Sequence, residues 1–241
     1  MSHSDTREKW DQAWSNLEAQ PWYPDEQFVR FLARYISRRT GFDVDDVSCM
    51  GESKPAVLDI GCGKGRHVVT LAELGIDAYG CDISEVAVAF ARKWLESRDL
   101  NGEIVRSDLG SIPFESGLFD AVACHGVLDH MLESDRSAGV VEVQRLLKPG
   151  GYFFFSVISG DDSAYGNGDF IEEKTWSVSE GFEKNIPQAF FDIPRIEREF
   201  GSFELVNITH TSVENITGRS LIGTDKHYDK DGRYYVLARR W

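Results

Sequence analysis

The sequence predicts an α/β fold with a mostly parallel sheet covered by helices on both faces, and three observations carry that reading. Short apolar runs alternate with amphipathic stretches from residue 55 to residue 158, and alternation at this spacing implies right-handed crossovers between parallel strands. The first run, Val57-Leu58-Asp59-Ile60, leads into Gly61-Cys62-Gly63-Lys64-Gly65-Arg66-His67, with glycines at alternate positions. Apolar residues at helical spacing then run from Val68 to Leu74. The stretch reads as strand, tight turn and helix.

In chain order, residues 5 to 40 read as helical, with Trp10 and Trp14 four apart on one face. Pro21-Trp22-Tyr23-Pro24 interrupts the pattern, and Asp25 is placed to cap a second helix carrying Phe28, Phe31, Leu32 and Tyr35. Residues 41 to 54, rich in Asp, Ser and Gly, read as a connecting loop. Strands are predicted at 56–60, 77–81, 103–107, 119–125 and 152–158, with helices at 65–74, 85–97 and 135–147. Residues 159 to 190 break the rhythm with Gly160-Asp161-Asp162 and Gly166-Asn167-Gly168-Asp169. That segment is too long for an ordinary connection and reads as a lid or substrate insertion. A helix at 194–200, a strand at 203–211, a polar loop around 214–231 and a strand at 234–237 complete the chain. The expected organisation is one domain over 1–241: a helical cap at 1–50, a ligand-binding core at 51–158, the insertion, and a terminal helix and strand pair from 191.

Composition narrows the partners. The 241 residues carry a formal net charge of −14, from 40 acidic and 26 basic side chains, so the total repels nucleic-acid phosphates and anionic lipid. Neither nucleic acid nor membrane is expected as a partner. The four cysteines, Cys49, Cys62, Cys81 and Cys124, form no C-x-x-C pair, so neither a disulfide framework nor a metal site is indicated. The polar start of the chain and the lack of any long apolar run point to a cytoplasmic protein.

The glycine turn is built to hold a ligand. Glycines tolerate positive φ and let a ligand approach the backbone, the following helix N-terminus offers unpaired N–H groups, and Asp59 adds a negative charge. That combination suits a group bearing both a carboxylate and an ammonium. A dinucleotide fingerprint would need a third glycine where Arg66 stands. With Asp59 two residues ahead of Gly61, Gly63 and Gly65, the stretch instead resembles the first motif of the class I S-adenosylmethionine-dependent methyltransferases, in the small-molecule branch of methyltransferase types 11 and 12. Three later stretches resemble the family in the correct order: Ser107-Asp108-Leu109, Phe119-Asp120-Ala121-Val122 with Cys124-His125-Gly126-Val127-Leu128-Asp129-His130, and Leu147-Lys148-Pro149-Gly150-Gly151. The resemblance covers about half of the chain. It implies a Rossmann-like, doubly wound, mostly parallel seven-stranded sheet with an antiparallel last strand, plus N-terminal helices.

For function, the resemblance implies S-adenosylmethionine as cofactor, and methyl transfer by in-line displacement to an O, N or S atom of a small-molecule acceptor. Asp59, Gly61, Cys62 and Gly63 would face the donor's amino-acid end. Asp82, at the end of the second core strand, would accept the ribose hydroxyls. Asp108 would accept from the adenine amine, with Ile83 and Leu109 packing on the ring and His125 near the sulfonium. Trp10 and Trp22 are candidates for capping the donor from the N-terminal segment. Should the acceptor arrive protonated, His125 and His130 are the candidate general bases, since an unperturbed imidazole titrates near neutrality. Glu172, Glu173, His210 and His227 are weaker candidates. Three competing readings are a non-catalytic S-adenosylmethionine-binding regulator or partner subunit, an aminopropyl transferase of the same fold, and a nicotinamide oxidoreductase, which Arg66 disfavours. A monomer or homodimer is expected.

Overall fold

A computed structural model describes residues 3–15, 22–41, 43–46, 54–178, 183–217 and 227–241. Seven of the ten strands of its main sheet run in the order β5 (Glu103–Arg106), β4 (Asp77–Asp82), β3 (Ala56–Ile60), β6 (Phe119–His125), β7 (Leu147–Ser159), β12 (His227–Arg239) and β11 (Glu204–Thr217). β5 through β7 are mutually parallel, and β12 inserts antiparallel between β7 and β11. The expected mostly parallel sheet with an antiparallel final strand is therefore present.

Both faces of the sheet are buried at the central strands β3, β6 and β7, as parallel strands require. Alternate residues point to opposite sides, so Leu58, Ile60, Val122, Cys124, Phe153 and Phe155 share one core with helices α5 (Glu133–Leu146) and α6 (Ile193–Phe200). Val57, Ala121, Ala123 and Phe154 share the other with α2 (Glu26–Tyr35), α3 (Arg66–Glu73) and α4 (Glu85–Ser97). Three helix starts carry a side-chain cap. Asp25 accepts the N–H groups of Gln27 and Phe28 at the head of α2, Ser84 caps α4 through Ala87, and Asp192 caps α6 through Arg195.

Four segments depart from the sequence reading. The N-terminal segment holds α1 (His3–Trp14) and α2, but the predicted helix to residue 40 ends at Tyr35. A short antiparallel hairpin, β1 (Ser37–Thr40) and β2 (Asp43–Asp46), turns at Gly41 with φ +66°. Four-residue strands of polar composition leave no apolar alternation to read. The 159–190 insertion is partly regular: β8 (Asp169–Glu172), β9 (Thr175–Ser177) and β10 (Pro187–Phe191) form an antiparallel ribbon, and β10 joins the end of β7 in parallel. The strands expected at 203–211 and 234–237 extend to Thr217 and back to His227, where a polar loop was expected. Pairing of β12 with β7 reaches only Arg233 opposite Ile158. Beyond it the hairpin satisfies its backbone hydrogen bonds without an apolar face, so polar residues suffice. Cys62, Cys81 and Cys124 are buried free thiols, and Cys49 lies outside the described residues.

Phe155 is fully buried, with its ring 4.7 Å from that of Phe153 and 4.2 Å from that of Phe200. Phe155→Ala is expected to lower unfolding free energy by about 3–5 kcal/mol, read from urea denaturation. A loss below about 1 kcal/mol would contradict this packing.

Candidate active site

One cavity of about 390 Å³ opens at the carboxyl ends of the parallel strands, where open α/β sheets place ligands. Its floor is the glycine turn between β3 and α3. Gly61, Gly63 and Gly65 all have positive φ, and the turn leaves no room for side chains. A Cβ at Gly61 would meet Val127 at 2.2 Å, and one at Gly63 would meet the Trp14 ring at 2.6 Å. Asp82, at the end of β4, fastens this turn. One carboxylate oxygen accepts the Gly63 N–H at 2.8 Å and the other the Ser84 N–H at 2.9 Å. Burial raises its pKa to about 6, although those two backbone donors and the nearby charges of Asp59 and Asp11 also act on it, the donors favouring ionisation and the acids opposing it.

Of the residues singled out in the sequence, Trp10, Asp59, Gly61, Cys62, Gly63, Asp82, Ile83, Asp108, Leu109, His125 and His130 all line this cavity. Burial holds the Cys62 thiol well above its ordinary pKa, leaving it inert as a nucleophile. Trp22 does not line the cavity. Half exposed, it packs on Phe90 and Trp94 of α4, with centroids 5.7 and 5.3 Å away. Glu172 accepts the Glu133 N–H, Glu173 is exposed, and His210 stacks on Tyr234 and meets Ser159. These three stand outside the cavity, and the side chain of His227 lies outside the described residues.

Helix α1 closes one side. Asp11 accepts from the Ser84 hydroxyl at 2.5 Å and from the Val86 N–H at 3.3 Å, which ties α1 to the start of α4. Trp10 stands edge-on to His130 with centroids 5.4 Å apart, and Lys9 donates to the Asn185 carbonyl across the insertion.

The three cavity histidines have assignable tautomers. His67 Nε2 accepts the Asp25 N–H at 3.2 Å, so its proton sits on Nδ1, 3.5 Å from Asp59. Ser156 Oγ accepts from the Gly126 N–H at 3.1 Å and from Arg233 at 3.3 Å, so its own hydrogen points to His125 Nδ1 at 2.7 Å. The proton of His125 is then on Nε2, 3.3 Å from Asp25. Both ring nitrogens of His125 are thus engaged. Burial holds its pKa well below the ordinary value, and the neighbouring His67, Arg233 and Arg66 add to the effect. His130 differs: Nδ1 faces the Pro187 carbonyl at 3.1 Å and so carries the proton, while Nε2 lies 3.4 Å from Glu183. Asp25 also accepts from the Tyr235 hydroxyl, whose pKa burial and Asp25 push up to about 12.

Asp25, Glu183 and Arg233 were not singled out as site residues from sequence. Asp25 was read only as a helix cap, which it also is. Glu183 and Arg233 sit in segments with no motif or periodicity, and only the folding of the insertion and of β12 over the strand ends brings them to the cavity.

Residues 58–155 match the family model described as a methyltransferase domain. Among curated proteins, the chain is 29% identical over 194 residues to a ubiquinone biosynthesis O-methyltransferase from Thiobacillus denitrificans, covering 76% of this chain and 78% of that protein. Ubiquinone biosynthesis O-methyltransferases from Coxiella burnetii and Acinetobacter species match at 31–33% identity over 45% of the chain, which spans about half (46%) of their length. A solved structure described as the conversion of a disulfide bond into a thioacetal group during echinomycin biosynthesis superposes with a TM-score of 0.68. It is 18% identical, with 98% of this chain and 92% of that one covered. A SAM-dependent methyltransferase from Methanosarcina mazei gives a TM-score of 0.64 at 23% identity, covering 79% of this chain and 94% of that one. At these identities the solved structures establish a shared fold. No helix among the described residues is long and apolar enough to cross a membrane.

His125 gives a pH prediction. Its folded pKa lies below the unfolded value of about 6.5, so as pH falls the unfolded chain binds the proton first. The contribution of His125 to stability is complete above about pH 6.5 and is lost as pH falls below it, by up to about 1.4 kcal/mol per pH unit. Ring-proton NMR titration is expected to find His125 neutral at about pH 6, and a midpoint at or above about 6.5 would contradict the assignment.

Proposed function

We propose that this chain is a class I S-adenosylmethionine-dependent methyltransferase and transfers the donor's methyl group to a small-molecule acceptor, most readily at a hydroxyl oxygen. The observation that carries the reading is the placement of Asp59, Asp82 and Asp108 around one cavity at the ends of β3, β4 and β5. Neighbouring strands lie about 4.8 Å apart, so the three carboxylates are spaced to meet an ammonium, a ribose and an adenine amine in turn. Asp82 already accepts one backbone N–H on each oxygen and keeps a second lone pair on each for the ribose hydroxyls. Ile83 and Leu109 supply apolar surface for the base, while Gly61, Cys62 and Gly63 bring the backbone close to the amino-acid end. Trp10 and His125 flank the region beyond.

The bound donor supplies a methyl already activated on a positively charged sulfur. The work left to the protein is to align the acceptor, exclude water and remove a proton. Alignment at about 3–3.5 Å can contribute roughly 7–11 kcal/mol of barrier lowering. Trp10, Trp14 and the Asp11 tether hold α1 as the water-excluding wall. His130 is the better placed base: its Nδ1 proton is fixed by the Pro187 carbonyl, which leaves Nε2 to accept. Glu183, 3.4 Å away, then stabilises the imidazolium that forms. His125, with both nitrogens engaged and its pKa depressed by burial, serves to orient Asp25 and Ser156. An oxygen acceptor fits this arrangement because a hydroxyl must lose a proton, and the related curated proteins are O-methyltransferases. The acidic total supports a small molecule over nucleic acid, and a cytoplasmic setting and a single-domain monomer or homodimer complete the proposal.

The direct test follows S-adenosylhomocysteine formation with a panel of hydroxylated small molecules. His130→Gln is expected to lower kcat by about 10²-fold or more while S-adenosylhomocysteine affinity changes less than about twofold. Turnover unchanged by this substitution would remove His130 as the base, and donor binding without turnover across the panel would favour a non-catalytic regulator.

Asp82 adds a pH signature. Ribose hydroxyls donate to the ionised carboxylate, so donor affinity should be constant above pH 6 and fall towards tenfold per unit below it, following the raised pKa of about 6. Asp82→Asn should abolish that pH dependence and weaken binding by about 1.5–3 kcal/mol. Affinity that is flat from pH 7 to about 5 would contradict the assignment.

A further inference from the structure

Arg233 and Asp129 form an incompletely satisfied pair at the acceptor end of the cavity. Arg233 projects from β12 opposite Ile158, and its Nη1 donates to Asp129 at 2.9 Å and to Ser156 at 3.3 Å. Asp129 is fully buried, yet its second oxygen, Oδ1, has no partner among the described residues. The Nε and Nη2 groups of Arg233 likewise have no hydrogen-bond partner among the described residues. A pair serving stability alone would match two N–H groups to two oxygens, because the bidentate arrangement is the stronger one. Here a single contact holds the guanidinium and leaves its Nε–Nη2 edge unpaired on a side chain that lines the cavity.

The sheet order separates this edge from the donor residues. Asp59, Asp82 and Asp108 stand at the ends of β3, β4 and β5, whereas Arg233 lies on β12, on the far side of β6 and β7. Its guanidinium reaches back only to Ser156 and the end of β6, beside Gly126. Val127, Met131, Leu132 and Pro187 supply apolar wall around the cavity on that side. Burial disfavours a charged Arg233, and the hydrogen-bonded carboxylate of Asp129 with the nearby charge of Glu183 outweighs it, so the guanidinium remains a permanent cation.

We propose that the Nε–Nη2 edge of Arg233 binds a carboxylate carried by the acceptor on an otherwise apolar body, making Arg233 the specificity-determining residue for acidic acceptors. A planar two-donor edge matches the two oxygens of a carboxylate, and one fork suits a single negative charge. This rests on the methyltransferase reading and names the substrate class for the same site.

The test titrates benzoate, 4-hydroxybenzoate and cinnamate, each against its amide, into full-length protein saturated with S-adenosylhomocysteine. At least one carboxylate is expected to bind at least about tenfold more tightly than its amide, the scale of a charged hydrogen bond. Arg233→Gln should erase that preference. Arg233→Lys keeps a cation against Asp129 and preserves the fold, and should lose most of the preference because the fork is gone. S-adenosylhomocysteine affinity should change less than about twofold in both variants. Equal binding of acids and amides, or a preference that survives in both variants, overturns the proposal. So does a loss of S-adenosylhomocysteine affinity in the variants with binding of 5′-methylthioadenosine unchanged, since the fork would then serve the donor's own carboxylate. Failure of the unmodified protein to bind S-adenosylhomocysteine at all would overturn the methyltransferase reading and this proposal with it.

Discussion

Asp82 joins the parts of the molecule that make a site. Its two carboxylate oxygens bond the Gly63 and Ser84 N–H groups, so one buried side chain fixes the glycine turn after β3 and the start of α4 after β4. The cost is visible in its pKa, raised to about 6 by loss of water. A carboxylate partly starved of hydrogen bonds gains when hydroxyls supply them, so the structural clasp is also the group proposed to receive the ribose. Ser84 extends the clasp by donating to Asp11, so the wall formed by α1 is registered against the floor it covers.

Behind His125, which lines the cavity, the support is assembled from distant segments. Asp25 at the head of α2, His125 at the end of β6, Ser156 on β7 and Tyr235 on β12 meet in one hydrogen-bonded network. Such a network fixes proton positions, because each hydroxyl and imidazole has only one arrangement that serves all its neighbours. His125 is thereby held neutral. His130, on the adjoining 3-10 turn and facing the insertion, keeps Nε2 free of the network, and the different hydrogen-bond partners of the two histidines are what the proposed base assignment rests on.

The central sheet was legible in the sequence because burial on both faces demands apolar runs, and Val57–Ile60 or Phe119–Cys124 admit little else. The glycine turn was legible for a similar reason: positive φ and close contact leave few alternatives to glycine at 61 and 63. The β1–β2 hairpin and the outer half of the β11–β12 hairpin were not, since backbone pairing alone holds them and imposes no side-chain pattern. Trp22 was misplaced because an aromatic residue near a break signals packing without saying on which side of α4 it packs. Glu183 and Arg233 act through tertiary placement, which local sequence does not encode. Their approach to the cavity depends on β10 pairing with the end of β7 and on β12 entering between β7 and β11.

Methyl transfer by this chain requires the cavity at the ends of β3, β4 and β5 to be a donor site for an adenosyl sulfonium. Calorimetric titration of the full-length protein with S-adenosylmethionine, S-adenosylhomocysteine and NAD in parallel tests this most directly. Micromolar binding of the two sulfur ligands, with none of NAD, is the predicted result. Binding of NAD with neither sulfur ligand would contradict it.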